Sequence, residues 1–244
     1  MGIGVGGFLV AAVIAFFIIN KPLPEGKEGP QAEALAKKML SAVNAEAWAQ
    51  IPFVRWSYAG GHDFLWDMQR NLVEIKWGGG EWRVLANPTA QTGLAYQNGN
   101  PLSGEEAAEK VKKGIHLFWN DSFWFNGFLK VFDPGTTRKY VEREGSQEGL
   151  LVTYNSGGTT PGDSYLWLIE ADGMPSAYQM WVDIIPFGGL EFSWAGWATF
   201  PNGAKYPQIH DSWLKSLQIT NIKSGNSLME MGHNTDIFSE IATN

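Results

Sequence analysis

The chain has 244 residues, a formal net charge of -7 and no cysteine. The acidic balance excludes the basic footprint that nucleic acid requires, and the lack of cysteine excludes disulfides, thiolate metal sites and a lipid-bearing N-terminal cysteine. Charged residues make up only 18% while aromatics reach 14%, with 12 Trp, a composition that suits one β-rich domain of about 200 residues plus extra segments.

Residues 2–19 carry no charged side chain. A helix of that length just spans a hydrocarbon core of about 30 Å. No Lys or Arg precedes the run, and Asn20-Lys21-Pro22 follows where a signal peptidase would need small residues. The run therefore reads as an uncleaved inner-membrane anchor with the remaining chain on the periplasmic side. Secretion to the periplasm after cleavage is the alternative. Residues 21–30 hold three Pro and two Gly among charges and read as a stiff linker.

Over residues 31–50 the pattern turns helical, with Leu35, Met39, Ala42, Val43 and Ala47 on one apolar stripe. Short strands follow at 52–58, 63–69, 72–77, 82–85 and 92–97, separated by Gly- and Asn-rich turns as in an antiparallel meander. Val73, Ile75 and Trp77 share one face there, and Glu74 and Lys76 the other. Ser103-Gly104-Glu105-Glu106 has the form of a capping box and opens a helix, and Asn120-Asp121-Ser122 starts a second, shorter one reaching Phe132. The meander resumes at 136–143, 149–154, 163–183, 189–200 and 212–222. Within 163–183, Ala171-Asp172-Gly173-Met174-Pro175 supplies the turn of a hairpin whose two strands are apolar on both faces, so both faces are expected to be covered. Gly196 breaks the alternation of Leu190, Phe192 and Trp194 and marks a bulge or bend. Residues 224–244 read as a polar tail, leaving 31–223 as the folded domain. The fold class expected is α+β, mainly antiparallel β, of about eleven strands, with a packed N-terminal helix and an inserted helical segment covering a face or an opening.

Tyr165-Leu166-Trp167-Leu168-Ile169 followed by Asp172-Gly173-Met174-Pro175 is similar to a pattern in the periplasmic lipoprotein carriers of the LolA/LolB type, the outer-membrane lipoprotein-sorting group. There an apolar strand passes through an acidic turn into the next strand. With the order of elements, the resemblance covers roughly residues 31–222. It implies a curved, incompletely closed barrel whose mouth is covered by helices and whose concave face holds acyl chains. The chain departs from the group in its uncleaved leader and in having no lipid-bearing cysteine.

No phosphate-cradling loop, zinc signature or nucleophile elbow is present. His62-Asp63 with Asp67, and His210-Asp211, could form an acid–base or metal constellation; both histidines fall in turns and read as solvated. Glu170 with Asp172, or Asp183 with Glu191, could serve as paired glycosidase carboxylates but equally read as turn charges. No catalytic residue, metal or cofactor is expected. The aromatic set carries the functional reading: Phe123, Trp124 and Phe128 from the inserted helices, with Trp167, Trp181, Phe192 and Trp194 from the strands, would line an apolar cavity for a lipid, an acyl chain or a lipidated protein. Three readings stay open at this point: a ligand cavity under a lid, a carbohydrate-binding or -cleaving groove, and a plugged structural core without ligand.

Overall fold

The computed structural model describes residues 20–156 and 160–242. The anchor expected at 2–19 lies outside them. Among the described residues no helix is long and apolar enough to cross a membrane. Two compact units are formed. One comprises the described residues through Ala42 with Leu129–Ala195 and Asp211–Leu214; the other comprises Val43–Phe128, Gly196–His210 and the described residues from Lys215 onward.

The second unit is built on a meander: β1 (Phe53–Tyr58), β2 (His62–Asp67), β3 (Leu72–Trp77), β4 (Trp82–Asn87) and β5 (Thr92–Gln97). The six-residue strands β2, β3 and β4 are each followed by a four-residue turn. Gly61, Asn71 and Gln91 each hold a positive φ immediately before the next strand, the left-handed position that reverses the chain tightly. A two-residue β6 (Asn100–Pro101) ends the run. The cross-strand row Trp56, Phe64, Ile75, Val84, Ala95 lies on one face. Helix α3 (Gly104–Asn126) covers that face, packing on β3, β4 and β5 through Val111, Ile115 and Phe118. Gly114 makes the close approach possible, because a Cβ there would stand 3.2 Å from Val84. On the opposite face Leu72 and Leu85 pack against Phe238 and Ile241. Residues 224–244, read as a polar tail, thus bring Met231, Phe238 and Ile241 into the core.

The first unit carries a five-stranded antiparallel sheet, β11-β10-β9-β8-β7, made of β7 (Thr136–Val141), β8 (Glu148–Tyr154), β9 (Ser164–Ile169), β10 (Pro175–Trp181) and β11 (Leu190–Ser193). The β9–β10 hairpin turns where the sequence places it. Gly173 holds φ 88, its N–H donates to Glu170 O at 2.8 Å, and the Asp172 carboxylate accepts from Met174 N. Helix α1 (Pro30–Ala42) lies on β7 and β8, held by Lys38–Glu148 and Arg138–Glu33 ion pairs. Arg138 and Glu148 share a face with Leu150, Val152 and Trp167, so α1 lies on that face; on the opposite face Val141, Leu151, Leu166, Leu168 and Ala177 form an apolar cluster with Trp181. The linker expected at 21–30 runs along this unit: Lys27 exchanges backbone hydrogen bonds with Tyr140, and Lys21 bonds Gly188.

The remaining strands are β12 (Ala198–Thr199), β13 (Lys205–Tyr206), β14 (Ile209–Asp211) and β15 (Ser216–Gly225). β12 pairs only with β13, and the larger sheet runs β14-β15-β1-β2-β3-β4-β5-β6. The fold is therefore α+β and mainly antiparallel, and among the described residues no sheet closes into a barrel. Fifteen strands are present among the described residues. The number exceeds eleven because four of them have only two or three residues, too short for an alternating pattern to register. Two helix boundaries also differ from the sequence reading. The helix expected over 31–50 stops at Ala42, since Asn44 takes a left-handed φ of 57 and caps a separate α2 (Ala45–Trp48). The two helices expected over 103–132 are one helix continued by a 3₁₀ turn, Gly127–Phe132, and Ser103 makes no side-chain capping bond.

Candidate functional site

In the five-stranded sheet the residues on the α1 face follow from the register. Leu150 opposes Trp167, Val152 opposes Tyr165, and Tyr178 opposes both Trp167 and Phe192. These side chains share one face by strand alternation. The rings make a continuous chain of edge contacts: Tyr154 to Tyr165 at 5.8 Å, Tyr165 to Tyr178 at 5.3 Å, Tyr178 to Trp167 at 5.3 Å, and Trp167 to Trp194 at 4.7 Å. Trp167, Phe192 and Trp194 are buried here, and the Trp167–Trp194 contact is edge-on, the favoured aromatic geometry. Burial, reinforced by Asp163, pushes the Tyr165 hydroxyl well above its ordinary value, so it stays protonated. Trp181, expected among these residues, lies on the other face with Leu166, Leu168 and Ala177, and its indole N–H donates to Lys21 O at 2.8 Å. The odd spacing from Tyr178 to Trp181 makes that placement unavoidable in a strand.

Phe123, Trp124 and Phe128 belong to the other unit. Phe128 is fully buried between Trp48 and Trp197, with ring centroids at 6.1 and 5.6 Å. Trp124 is buried beside His210, 5.5 Å between rings. Phe123 is half-buried and its ring lies over Gly127. His210, read as a solvated turn residue, is completely buried; a histidine flanked by Ile209 and Asp211 gives no local signal of burial. Around Phe128 the unit's aromatic core continues through Trp48, Phe125, Trp56 and Phe64 in stacked and edge contacts.

A separate cleft of about 520 Å³ opens on the face of the five-stranded sheet opposite α1, toward β11. Leu168 and Ala177 form its apolar floor, Glu170, Glu191 and Asp211 its carboxylates, and the exposed Trp213 one wall. Gln147 donates to Glu170 at 2.7 Å and Gln179 to Glu191 at 2.8 Å, while Ser193 accepts from Asp211 N. The Gln147 and Ser176 hydrogen bonds hold the Glu170 carboxyl below its ordinary value. None of the seven aromatics expected from the sequence lines this cleft. Trp213 was missed because a tryptophan one residue beyond Ser212, in a turn, has no strand or helix period to place it.

His62 finds its carboxylate far along the chain. Its Nδ1 stands 2.7 Å from Asp121 Oδ2 on α3, and neither Asp63 nor Asp67 takes that part. Asp63 instead accepts from Ser57, and Asp67 from Arg70. Burial pushes the Asp121 carboxyl up against the opposing hydrogen bonds from Asn120 and His62, and burial beside it also raises Tyr58. The pair pins the β1–β2 turn to α3. Among the described residues no group of three or more His, Asp or Glu could hold a metal ion.

No family model and no curated protein matches this chain. Solved structures similar to it include a protein of the DUF1329 family from Desulfovibrio piger, at 8% identity, covering 80% of this chain and 95% of that one with a TM-score of 0.41. A putative outer membrane lipoprotein-sorting protein domain from Vibrio parahaemolyticus is similar at 8% identity, covering 86% of this chain and 100% of that one with a TM-score of 0.38. The latter is of the group the sequence resembles. Likenesses this distant carry no function from those proteins to this one.

Proposed function

We propose that this chain is a membrane-tethered envelope protein that binds a hydrophobic ligand, either a lipid or the acyl chain of a lipidated protein, and performs no chemistry on it. Residues 2–19 supply the tether and the folded part faces the periplasm. The observation that supports the binding reading is the continuous aromatic face from Tyr154 to Trp194, five rings in register on the side of the sheet that α1 also covers. Such a face offers large apolar area, and each methylene laid against it contributes about 0.8 kcal/mol. Trp167, Tyr178 and Trp194 are buried, so ligand entry requires the elements over them to part and is read out by tryptophan emission.

The test uses the full chain in detergent micelles, titrated with a dansylated fatty acid. Saturable energy transfer from tryptophan, competed by unlabelled fatty acid, is expected. Trp194→Ala should weaken it while Tyr178→Phe, which keeps the ring, should not. A folded chain giving no saturable transfer sinks the reading.

The acidic cleft favours a second reading. An exposed indole beside three carboxylates and several hydroxyls, with no basic residue among the lining side chains, matches the requirements of a neutral polyhydroxylated ligand such as an oligosaccharide. Retardation in an oligosaccharide-containing gel that disappears in Trp213→Ala would support it; equal mobility with and without oligosaccharide would remove it.

A further inference from the structure

Six large hydrophobic side chains are exposed among the described residues, and four of them, Leu23, Ile184, Trp213 and Leu214, fall in three short segments of one unit. Those segments are fastened to one another. Lys21 N donates to Gly188 O at 3.0 Å, Gly188 N donates to Asn20 Oδ1 at 2.8 Å, and the Trp181 indole donates to Lys21 O. Phe187 in turn meets Trp213 at 6.0 Å between ring centroids. Residues 20–23, 183–189 and 211–214 thus share one apolar, aromatic-containing surface. Ile184 is 74% and Trp213 64% exposed, a cost in water that a clustered set recovers only by contact with an apolar partner.

We infer that this surface docks on a lipid bilayer, at the boundary between headgroups and acyl chains. The inference rests on the tether reading above and adds to it where the folded part meets the membrane. The chain itself identifies the occupant. The uncharged run 2–19 ends one residue before Asn20, and Asn20 and Lys21 are already bonded to residue 188 in the apolar loop. No free linker intervenes, so wherever the run leaves the bilayer, residues 183–189 are held within a few ångströms of that point. The composition fits the depth: tryptophan and short aliphatic side chains favour the interface, and exposed Lys21 suits anionic headgroups. Asp183 and Asp211 border the segments and limit penetration to the headgroup layer, since carboxylates resist deeper burial.

Because the chain has no cysteine, single cysteines report cleanly. Full-length variants Ile184→Cys and Leu214→Cys, with Lys37→Cys on the exposed side of α1 as reference, are labelled with an environment-sensitive fluorophore. They are then reconstituted in phosphatidylethanolamine–phosphatidylglycerol vesicles containing a lipid with a doxyl group near the head of its acyl chain. Flotation measures the tether and quenching measures the docking surface. The expected result is co-flotation of all three, with blue-shifted and quenched emission at positions 184 and 214 and unchanged emission at 37. Co-flotation with unquenched 184 and 214 overturns the docking surface and leaves the tether standing. Blue-shifted but unquenched labels also overturn it, since protein, either residues 2–19 folded back or a second copy, then covers the patch. Equal quenching at all three positions overturns its specificity. Failure to float overturns tether and docking together.

Discussion

Glu74 lies under the C-terminal segment with its side chain 5% exposed, 2.6 Å from Arg83 Nε and 3.0 Å from Lys76 Nζ. Burial alone would raise its pKa, but the two cations outweigh burial and hold the carboxyl below the ordinary value. Its contribution to stability is therefore present above the usual glutamate range and lost as pH falls through the depressed value. Asp121 runs the other way. Burial keeps its folded-state pKa above that of the unfolded chain despite Asn120 and His62, so its contribution is complete at low pH and fades as pH rises through the raised value. Glu74→Gln should cost about 1–3 kcal/mol at neutral pH, and the loss should shrink in acid. Asp121→Asn keeps a carbonyl and an amide toward its neighbours and should cost less at neutral pH than Glu74→Gln. Urea titrations at a series of pH values check both, and parallel pH profiles for the two variants would contradict the assignment. The chain showed Glu74 and Lys76 on one strand face, but neither the approach of Arg83 to Glu74 nor that of His62 to Asp121 could be read from it. Lys76 faces Glu74 only because β3 is a strand, and Asp121 meets His62 across 59 residues.

At the scale of elements, the β9–β10 hairpin is the part most open to sequence reasoning, because Asp172-Gly173 encodes its own turn. The structure adds a second constraint on Gly173. Beyond its positive φ, a Cβ there would lie 3.0 Å from Lys38 O and from the Ala42 Cβ of α1. Gly173→Val should thus destabilise by more than the roughly 1–2 kcal/mol of backbone strain, measured as a lowered thermal midpoint. A change no larger than that caused by Gly99→Ala, at a positive φ with open space around it, would show that the α1 contact is immaterial. The C-terminal segment teaches the opposite lesson. Its mixed, mostly polar composition hides Phe238 and Ile241, which cover Leu72 and Leu85. Removing residues 234–244 should cost several kcal/mol, at about 2–5 for each large buried side chain lost, and an unchanged thermal midpoint would exclude that packing. The inserted helix was legible as a helix but not as one element: the polar Asn120-Asp121-Ser122 looks like a start, yet both Asp121 and Ser122 are buried on α3, Asp121 against His62 and Ser122 bonded back to Trp119 O of the same helix.

For the whole molecule, a net charge of -7 with a sequence isoelectric point near 5.1 keeps copies apart at neutral pH. Solubility measured against pH should pass through a minimum near that point, and a minimum well above it would mean that the buried carboxylates do not titrate as described. Sequence alone determined the mainly antiparallel α+β class, the alternating faces of the meander and the tight turns, because each depends on residues within about ten of one another. It also determined the uncharged run at 2–19. Tertiary structure decided which aromatics share a surface. Trp167, Tyr178 and Trp194 meet through strand register, Trp181 falls on the reverse face through its odd spacing, and Phe128 joins a core in the other unit. Register and long-range pairing arise from packing many weak contacts at once, and no local pattern encodes that sum. The same reason put the exposed Trp213 beside Phe187 and both next to the first described residues of the chain, a juxtaposition spanning nearly 200 residues that only the folded molecule displays.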